Sequence, residues 1–264
     1  MRRRDFLKAV AACFAAGGLS RYALAQAVES SAPATSPTAA PQAGPTYPDV
    51  EAAMRSPREM LAFVPIICVG MRPKRPDYLA SVDLDPASKS YGQVIHRLAM
   101  PAVGDELHHF GWSVCSSCHG EHGKYRRYLV VPGFASGNIH IIDAADPRRP
   151  KMHKVIPGQE IARKANLTAP HTVHCAPDGS IIISMLGDAR GNAPGGFLTM
   201  DQNFEVSGRW EKDTRGMHAN YDFWYQPRHN IMVSSEWAAP SVVSQGFKPI
   251  LSGSPISESC GCLW

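Results

Sequence analysis

Short apolar runs alternate with polar turns along most of the chain, and one arrangement of them recurs. A strand-like segment that ends in Asp occurs three times, with the Asp residues 60 and 58 positions apart. The copies are Tyr78–Asp83, Asn138–Asp143 and Gly196–Asp201. A polar turn and a second strand-like segment follow each copy. This repeat, rich in β-branched residues, predicts a series of similar antiparallel sheets.

A second repeat lies between these copies. Residues His171–Ser184 align with Tyr221–Ser234, 50 positions later, and Pro177 falls on Pro227. Each copy has the pattern of a β-hairpin. Several short strands in every fifty to sixty residues are typical of an all-β fold built from β-propeller blades, with a β-sandwich as the alternative. A helical apolar period is suggested only at Pro57–Ala62.

The N-terminus has the pattern of an export signal. Arg3 and Arg4 precede an apolar run, Ala9–Leu19, and a small-residue cleavage pattern follows at Ala23–Ala25. Residues 1–25 are therefore predicted to be a twin-arginine signal peptide, because eleven apolar residues are too few to span a bilayer. This predicts export to the periplasm by the twin-arginine translocation machinery, with no stable membrane anchor after signal removal. Proteins exported folded often carry a cofactor, which favours a metal or redox centre.

The charge of the chain is concentrated in that signal. Residues 1–25 hold five Lys or Arg and one acid, which accounts for the whole formal net charge of +4. The rest is neutral overall, so no nucleic-acid partner is expected. Residues 26–48 are mostly Ala, Pro and Ser, and they are predicted to form a disordered linker before a propeller region at 49–249.

Potential metal ligands are concentrated between Asp105 and Gly133. This stretch contains His108, His109, Cys115, Cys118, His119 and His122. The Cys-x-x-Cys-His pattern matches covalent haem attachment, although strand-rich surroundings are unusual for such a haem. The same cysteines could form a redox dithiol, or a disulfide with only a structural role. The residues alone leave these three alternatives open.

The histidines form a second set of candidates. In an extended segment His108 and His109 would point to opposite faces, so at most one would serve a given centre. His171 and His174 begin the first repeated hairpin, and His229 lies in the turn of the second. Since a propeller axis gathers residues from several blades, these positions are candidates for one metal site. The strand patterns around His96, His140 and His153 predict structural roles for these residues.

Six segments together resemble one known family, the selenium-binding proteins, whose bacterial members include methanethiol oxidases. The resemblance covers about residues 48–249 and implies a seven-bladed propeller, of which this chain holds roughly the first half. The matching segments are QVIHRLAMP from Gln93, DELHHFGWSVCSSCHGE from Asp105, HTVHC from His171, LGDARGNAPGGF from Leu186, YDFWYQPRHNIMVSSEWAAP from Tyr221 and GFKP from Gly246.

The resemblance implies an activity and a metal. Members of the family oxidise methanethiol with O₂ and water to formaldehyde, hydrogen sulfide and hydrogen peroxide, with copper in the bacterial members. Members with the same CSSCHG run are not cytochromes, so Cys115 and Cys118 are expected to bind a metal or to act in redox chemistry. The expected copper ligands are His109, His174 and His229, with His108 and His171 as alternates. Trp112, Phe223 and Trp224 are candidates for lining an apolar substrate channel.

Two departures from the family pattern modify these expectations. The cysteine to which family members attach selenium is replaced by Gly92, which excludes selenium attachment by that route. After Pro249 the sequence leaves the family pattern, so residues 250–264 are expected to be an aberrant tail produced by truncation or a frameshift. An inactive methanethiol oxidase fragment is then expected. The alternative is a non-catalytic periplasmic protein that binds selenium, sulfur compounds or a metal.

Overall fold

Four antiparallel sheets follow one another along the chain in the computed structural model. The predicted signal peptide and all of the predicted linker except Tyr47 lie outside the described residues. Within the described part, no helix is long and apolar enough to cross a membrane. The structure describes residues 47, 49–68, 74–114, 126–214, 216–226, 229–244 and 260–263.

The strands of each sheet are hydrogen-bonded in the order in which they occur in the chain. The first sheet consists of β1 (Leu61–Ile66), β2 (Tyr78–Asp83) and β3 (Val94–Ala99). The second consists of β4 (Gly111–Trp112), β5 (Tyr128–Pro132), β6 (Ile139–Asp143) and β7 (Lys151–Ile156). The third consists of β8 (Thr168–Cys175), β9 (Ile181–Gly187), β10 (Gly196–Met200) and β11 (Val206–Arg209). The fourth consists of β12 (Phe223–Gln226), β13 (Ile231–Ser235) and β14 (Cys260–Leu263). In the described part of the chain, three short helices accompany them, α1 (Val50–Met54), α2 (Gly158–Ala165) and α3 (Pro240–Val243).

The repeated Asp has the same role in three sheets. Asp83 ends β2, Asp143 ends β6 and Asp201 follows β10. Each carboxylate accepts a hydrogen bond of 2.9 Å from the backbone N–H two residues later. Asp is favoured at this point because its side chain closes the turn that leads to the next strand. The repeat therefore marks equivalent strands, and the prediction of an all-β fold made of propeller blades is confirmed.

Apolar side chains fill the space between neighbouring sheets. In β5, Leu129 and Val131 pack towards the first sheet, whereas Val130 packs towards the third. All seven residues of β9 are buried. Because the central strands β5, β6 and β9 are covered on both faces, they are mostly apolar, whereas the outer strand β7 has exposed polar residues. Each fully buried aliphatic side chain stabilises the stack by about 1.5–3 kcal/mol.

The helices differ from the sequence-based expectation. The segment Pro57–Ala62 was the predicted helical period, and this prediction is wrong because β1 begins at Leu61 and pairs along its length with β2. Helix α2 was not predicted. It buries only Ile161 and Ala165, one turn apart, and carries an exposed ion pair of 2.7 Å between Glu160 and Lys164. Two buried residues are too few to produce a recognisable helical period.

The C-terminal segment contains one further strand. The backbone of Cys260–Leu263 pairs antiparallel with β13, with Val233 opposite Cys262. The interpretation of residues 250–264 as an aberrant tail stays a prediction. Residues 245–259 lie outside the described residues.

Candidate functional site

Three histidines from two neighbouring sheets meet in one cluster. The ring centroids of His109 and His171 are 4.0 Å apart, and the His108 centroid lies 5.8 Å from His109 and 5.5 Å from His171. His108 and His109 precede β4, whereas His171 lies in β8. We call these three residues the histidine cluster.

A close approach of two strands brings the cluster together. A Cβ atom added to Gly111 would lie only 2.9 Å from the backbone oxygen of Val173. A residue with a side chain would push β4 away from β8, and real Cβ atoms do not make contacts this short. Gly111 therefore allows His108 and His109, which precede β4, to reach His171, two residues before Val173.

The prediction that His108 and His109 point to opposite faces is wrong. Their rings are stacked with an interplanar angle of 19°, and both contact His171. The alternation of side chains applies to regular strands, but β4 begins only at Gly111. Glu106, just before the pair, has a left-handed φ of 58° that changes the direction of the chain.

His171 is the buried member of the cluster, with 1 % of its surface exposed. Its Nδ1 lies 3.0 Å from the Thr172 hydroxyl, and its Nε2 is buried without a hydrogen-bond partner. Burial lowers the pKa of His171 to about 4, and the charges of His109 and His108 add to this effect against the opposing charge of Asp222. Partial desolvation by neighbouring groups also lowers the pKa of His109, although the side chain is exposed, and the negative charge of Asp222 acts in the opposite direction. Both imidazoles are therefore neutral at pH 7.

A pH dependence of stability follows from the lowered pKa of His171. The unfolded state has the ordinary pKa of 6.5, so between pH 6.5 and about 4 it binds more protons than the folded state. Stability is then complete above pH 6.5 and falls as the pH drops, by at most about 1.4 kcal/mol per pH unit from this residue. We expect His171→Gln to reduce this slope in urea unfolding of metal-free protein between pH 7.5 and 5. The control is His229→Gln, which replaces an exposed histidine and should leave the slope unchanged. An unaltered slope in His171→Gln would contradict the assignment of the pH dependence to His171.

The other predicted site residues are not part of the histidine cluster. The ring of His174 packs against Phe223, 5.0 Å between centroids. His229 is exposed in the turn between β12 and β13, and no ring contact with the cluster is seen in the described residues. Cys115 and Cys118 lie outside the described residues. Among the residues that the structure describes, no three His, Cys, Asp or Glu side chains are placed to hold one metal ion.

An open groove of about 450 Å³ lies beside the cluster. Phe223 and Trp224, two of the predicted channel residues, line it, whereas Trp112 packs at 6.0 Å against Phe63 of the first sheet. The groove is lined by His109, Thr172, His174, Asp222, Phe223, Trp224, Val233, Ser234 and Ser235. It therefore combines an apolar wall with imidazole, hydroxyl and carboxylate groups.

Asp222 and Thr172 were not among the site residues predicted from the sequence. The 50-residue repeat nevertheless aligns position 172 with position 222. The Thr172 hydroxyl donates to Asp222 Oδ1 over 2.5 Å. The backbone N–H of Phe223 donates to the same oxygen over 2.8 Å. Equivalent positions of adjacent blades are neighbours around a propeller axis, so the repeat alone could have indicated this contact.

Two buried carboxylates hold the segment that leads into the cluster. Asp105, fully buried, accepts hydrogen bonds from Ser136 Oγ (2.6 Å) and Asn138 Nδ2 (3.2 Å). Asp77 accepts a hydrogen bond of 3.0 Å from the backbone N–H of Leu107. The backbone before His108 is therefore fixed from two sides. His140, assigned a structural role from its strand pattern, lies with its Nε2 3.5 Å from Asp105 Oδ2.

Comparisons with known proteins place the chain in a family. The model of the family described as 56kDa selenium binding protein (SBP56) matches residues 41–253. Selenium-binding protein 2 and methanethiol oxidase, both of Mus musculus, are each 50% identical over 208 residues, covering 78% of this chain and 44% of the relative. The chain thus spans less than half the length of these curated relatives.

A solved structure supports the same family. A hypothetical selenium-binding protein from Sulfolobus tokodaii superimposes with a TM-score of 0.73 at 42% sequence identity, covering 76% of this chain and 45% of that one. The likeness is supported by sequence as well as by fold. With its family model matched over most of its length, the chain belongs to the selenium-binding protein family.

Proposed function

We propose that this chain carries the histidine part of a copper centre in a methanethiol oxidase-like protein of the periplasm. The observation that carries the proposal is the buried, partnerless Nε2 of His171, which belongs to a cluster with two further imidazoles beside an open groove. Relatives named methanethiol oxidase, 50% identical over the matched residues, supply the reaction. The periplasmic location rests on the predicted signal at residues 1–25.

The donor set of the cluster suits copper. Imidazole nitrogen is a good ligand for copper, and ligation requires the neutral ring. The lowered pKa values of His109 and His171 favour the neutral ring at pH 7. As the rings stand, no three described groups could hold one ion. Since His108 and His109 are exposed, their rings can rotate towards an ion bound at His171 Nε2. Copper bound there would supply one-electron redox chemistry towards a thiolate and O₂.

The residues that line the groove would contact the substrate. Methanethiol is small, and its methyl group packs against the apolar wall formed by Phe223, Trp224 and Val233. The exposed ring of His109 lies at the groove, so a thiol bound there is next to one of the proposed copper ligands. The overall reaction consumes one methanethiol, one O₂ and one water, and yields one formaldehyde, one hydrogen sulfide and one hydrogen peroxide.

We expect the purified 264-residue chain to bind copper without producing hydrogen peroxide from methanethiol. The described residues gather imidazoles but place no complete ligand group, and an incomplete coordination shell holds a metal weakly. Metal analysis after copper loading and a peroxide assay test both parts, with the methanethiol oxidase of Mus musculus as the positive control. Absence of bound copper would overturn the proposed centre. Steady peroxide production would show that this chain is sufficient for turnover.

A second candidate function is non-catalytic binding of selenium, sulfur compounds or a metal. The name of the first relative, selenium-binding protein 2, favours it. Gly92, which takes the place of the selenium-carrying cysteine, has a left-handed φ of 74° in the turn before β3. A cysteine would be strained in this conformation, so any selenium must bind elsewhere. Retention of selenium from selenite by copper-free protein would favour this alternative.

A further inference from the structure

A chain of hydrogen bonds leads from Asp222 to His171. Asp222 Oδ1 accepts from the backbone N–H of Phe223 over 2.8 Å and lies 2.5 Å from Thr172 Oγ1. This second distance is typical of a hydroxyl that donates to a carboxylate. Thr172 Oγ1 in turn lies 3.0 Å from His171 Nδ1. Asp222 precedes β12 and Thr172 lies in β8, so the chain joins two sheets.

The direction of these hydrogen bonds determines the tautomer of His171. A threonine hydroxyl has one hydrogen, and here it is donated to Asp222. Towards His171 the hydroxyl oxygen can only accept, so Nδ1 of His171 carries a hydrogen. A neutral imidazole has one N–H, which leaves a lone pair on Nε2. That nitrogen is buried and has no partner.

We propose that Thr172 and Asp222 are positioning residues that hold His171 as the Nδ1–H tautomer and leave the lone pair of its buried Nε2 free for a ligand. A buried acceptor without a partner is costly, so this arrangement is expected where a ligand supplies the missing contact. Outer hydrogen bonds of this kind orient metal-binding imidazoles and increase their basicity. The tautomer stands on geometry alone, whereas its consequence for copper rests on the proposed function.

The backbone around Thr172 makes the arrangement rigid. Its N–H donates to Ser184 Oγ in β9 over 3.0 Å. The ring of Tyr221, the residue before Asp222, lies 4.5 Å from the His171 imidazole, measured between centroids. His171 is therefore held by a ring contact from the Asp222 segment and by a hydrogen bond to its own neighbour. Rotation of the ring would break both contacts.

The test compares Thr172→Val with a matched control. Valine has nearly the shape of threonine but lacks the hydroxyl, and Thr172→Ser restores a hydroxyl. Thr199→Val is the control, because the Thr199 hydroxyl donates to Gly208 O over 3.0 Å between β10 and β11, away from the histidine cluster. In metal-free, ¹⁵N-histidine-labelled protein, long-range ¹H–¹⁵N spectra report which nitrogen of His171 is protonated. A titration with copper(II) then reports affinity.

We expect wild type, Thr172→Ser and Thr199→Val to show His171 protonated at Nδ1. Thr172→Val should show a tautomer mixture and bind copper(II) about 10–100-fold more weakly. Protonation at Nε2 in wild type would overturn the proposal, whether or not any variant folds. Unchanged tautomer and affinity in a folded Thr172→Val variant would also overturn it. If the tautomer is as expected but wild type binds no copper(II), the proposed function fails and the positioning assignment stands.

Discussion

Replacing His171 by Ala is expected to lower the copper affinity of the chain by more than about 100-fold, because this residue is the centre of the histidine cluster. It contacts both other rings, and its Nε2 is buried without a partner. Loss of a direct ligand should exceed the 10–100-fold effect typical of its outer hydrogen-bond partners. Competition with a chelator of known affinity, followed by metal analysis, measures the change.

Two control substitutions separate loss of a ligand from loss of packing. His229→Ala removes an exposed imidazole of the β12–β13 turn and should leave copper affinity unchanged. His153→Ala removes a ring that packs against Tyr128 at 4.8 Å in the second sheet, and it should affect stability only. If His229→Ala lost as much copper as His171→Ala, the ligand set predicted from the sequence alone would be favoured over the cluster.

The fold could be predicted from the sequence because its determinants are local. Asp83, Asp143 and Asp201 each close a turn through a hydrogen bond to the backbone two residues on, so the repeat marks equivalent strands without any knowledge of the tertiary structure. Helix α2 could not be predicted in this way. Its two inward residues, Ile161 and Ala165, are buried by contact with the second and third sheets.

The composition of the site was predicted better than its geometry. His108, His109 and His171 were all candidates, but their meeting depends on the absence of a side chain at Gly111 and on the left-handed φ of Glu106. Neither feature produces a periodic pattern or a motif in the sequence. The close approach at Gly111 depends on a distant strand, and the φ angle of Glu106 is known only from the folded backbone. The proposed roles of Cys115 and Cys118 remain predictions.

The contact between Thr172 and Asp222 is an intermediate case. Their 50-residue separation is the hairpin repeat itself, and residues at equivalent blade positions approach each other. The sequence therefore contained a signal for the contact. The direction of the hydrogen bonds, and hence the tautomer of His171, required the distances.

Replacing Asp105 by Ala is expected to lower the free energy of unfolding by about 1–3 kcal/mol. The fully buried Asp105 carboxylate joins the exposed Ser136 and the half-buried Asn138 to the segment before His108, and the substitution removes both of these hydrogen bonds. The substitution also frees the segment that presents His108 and His109, so weaker copper binding should accompany the lower stability. Urea unfolding with intrinsic fluorescence, together with copper(II) titration of the folded variant, measures both effects.

Asp105→Asn separates the loss of hydrogen bonds from the removal of a buried charge. His140 Nδ1 lies 3.1 Å from Val131 O, which can only accept, so Nδ1 carries a hydrogen. Nε2 then faces Asp105 Oδ2 at 3.5 Å, and both of these atoms lack a hydrogen-bond partner. An asparagine keeps Oδ1 for Ser136 and Asn138 and turns an N–H towards His140 Nε2. We expect Asp105→Asn to retain most of the stability that Asp105→Ala loses.

A matched control comes from an exposed aspartate that also accepts two hydrogen bonds. Asp178 accepts from the backbone N–H (2.9 Å) and the hydroxyl (2.6 Å) of Ser180 in an exposed turn, where water can replace it. Asp178→Ala should therefore cost less than about 1 kcal/mol. A loss in Asp105→Ala no larger than that in Asp178→Ala would show that the buried carboxylate does not hold the segment. Equal losses in Asp105→Ala and Asp105→Asn would instead assign the stability to the charge of Asp105, because the amide keeps the hydrogen bonds and removes only the charge.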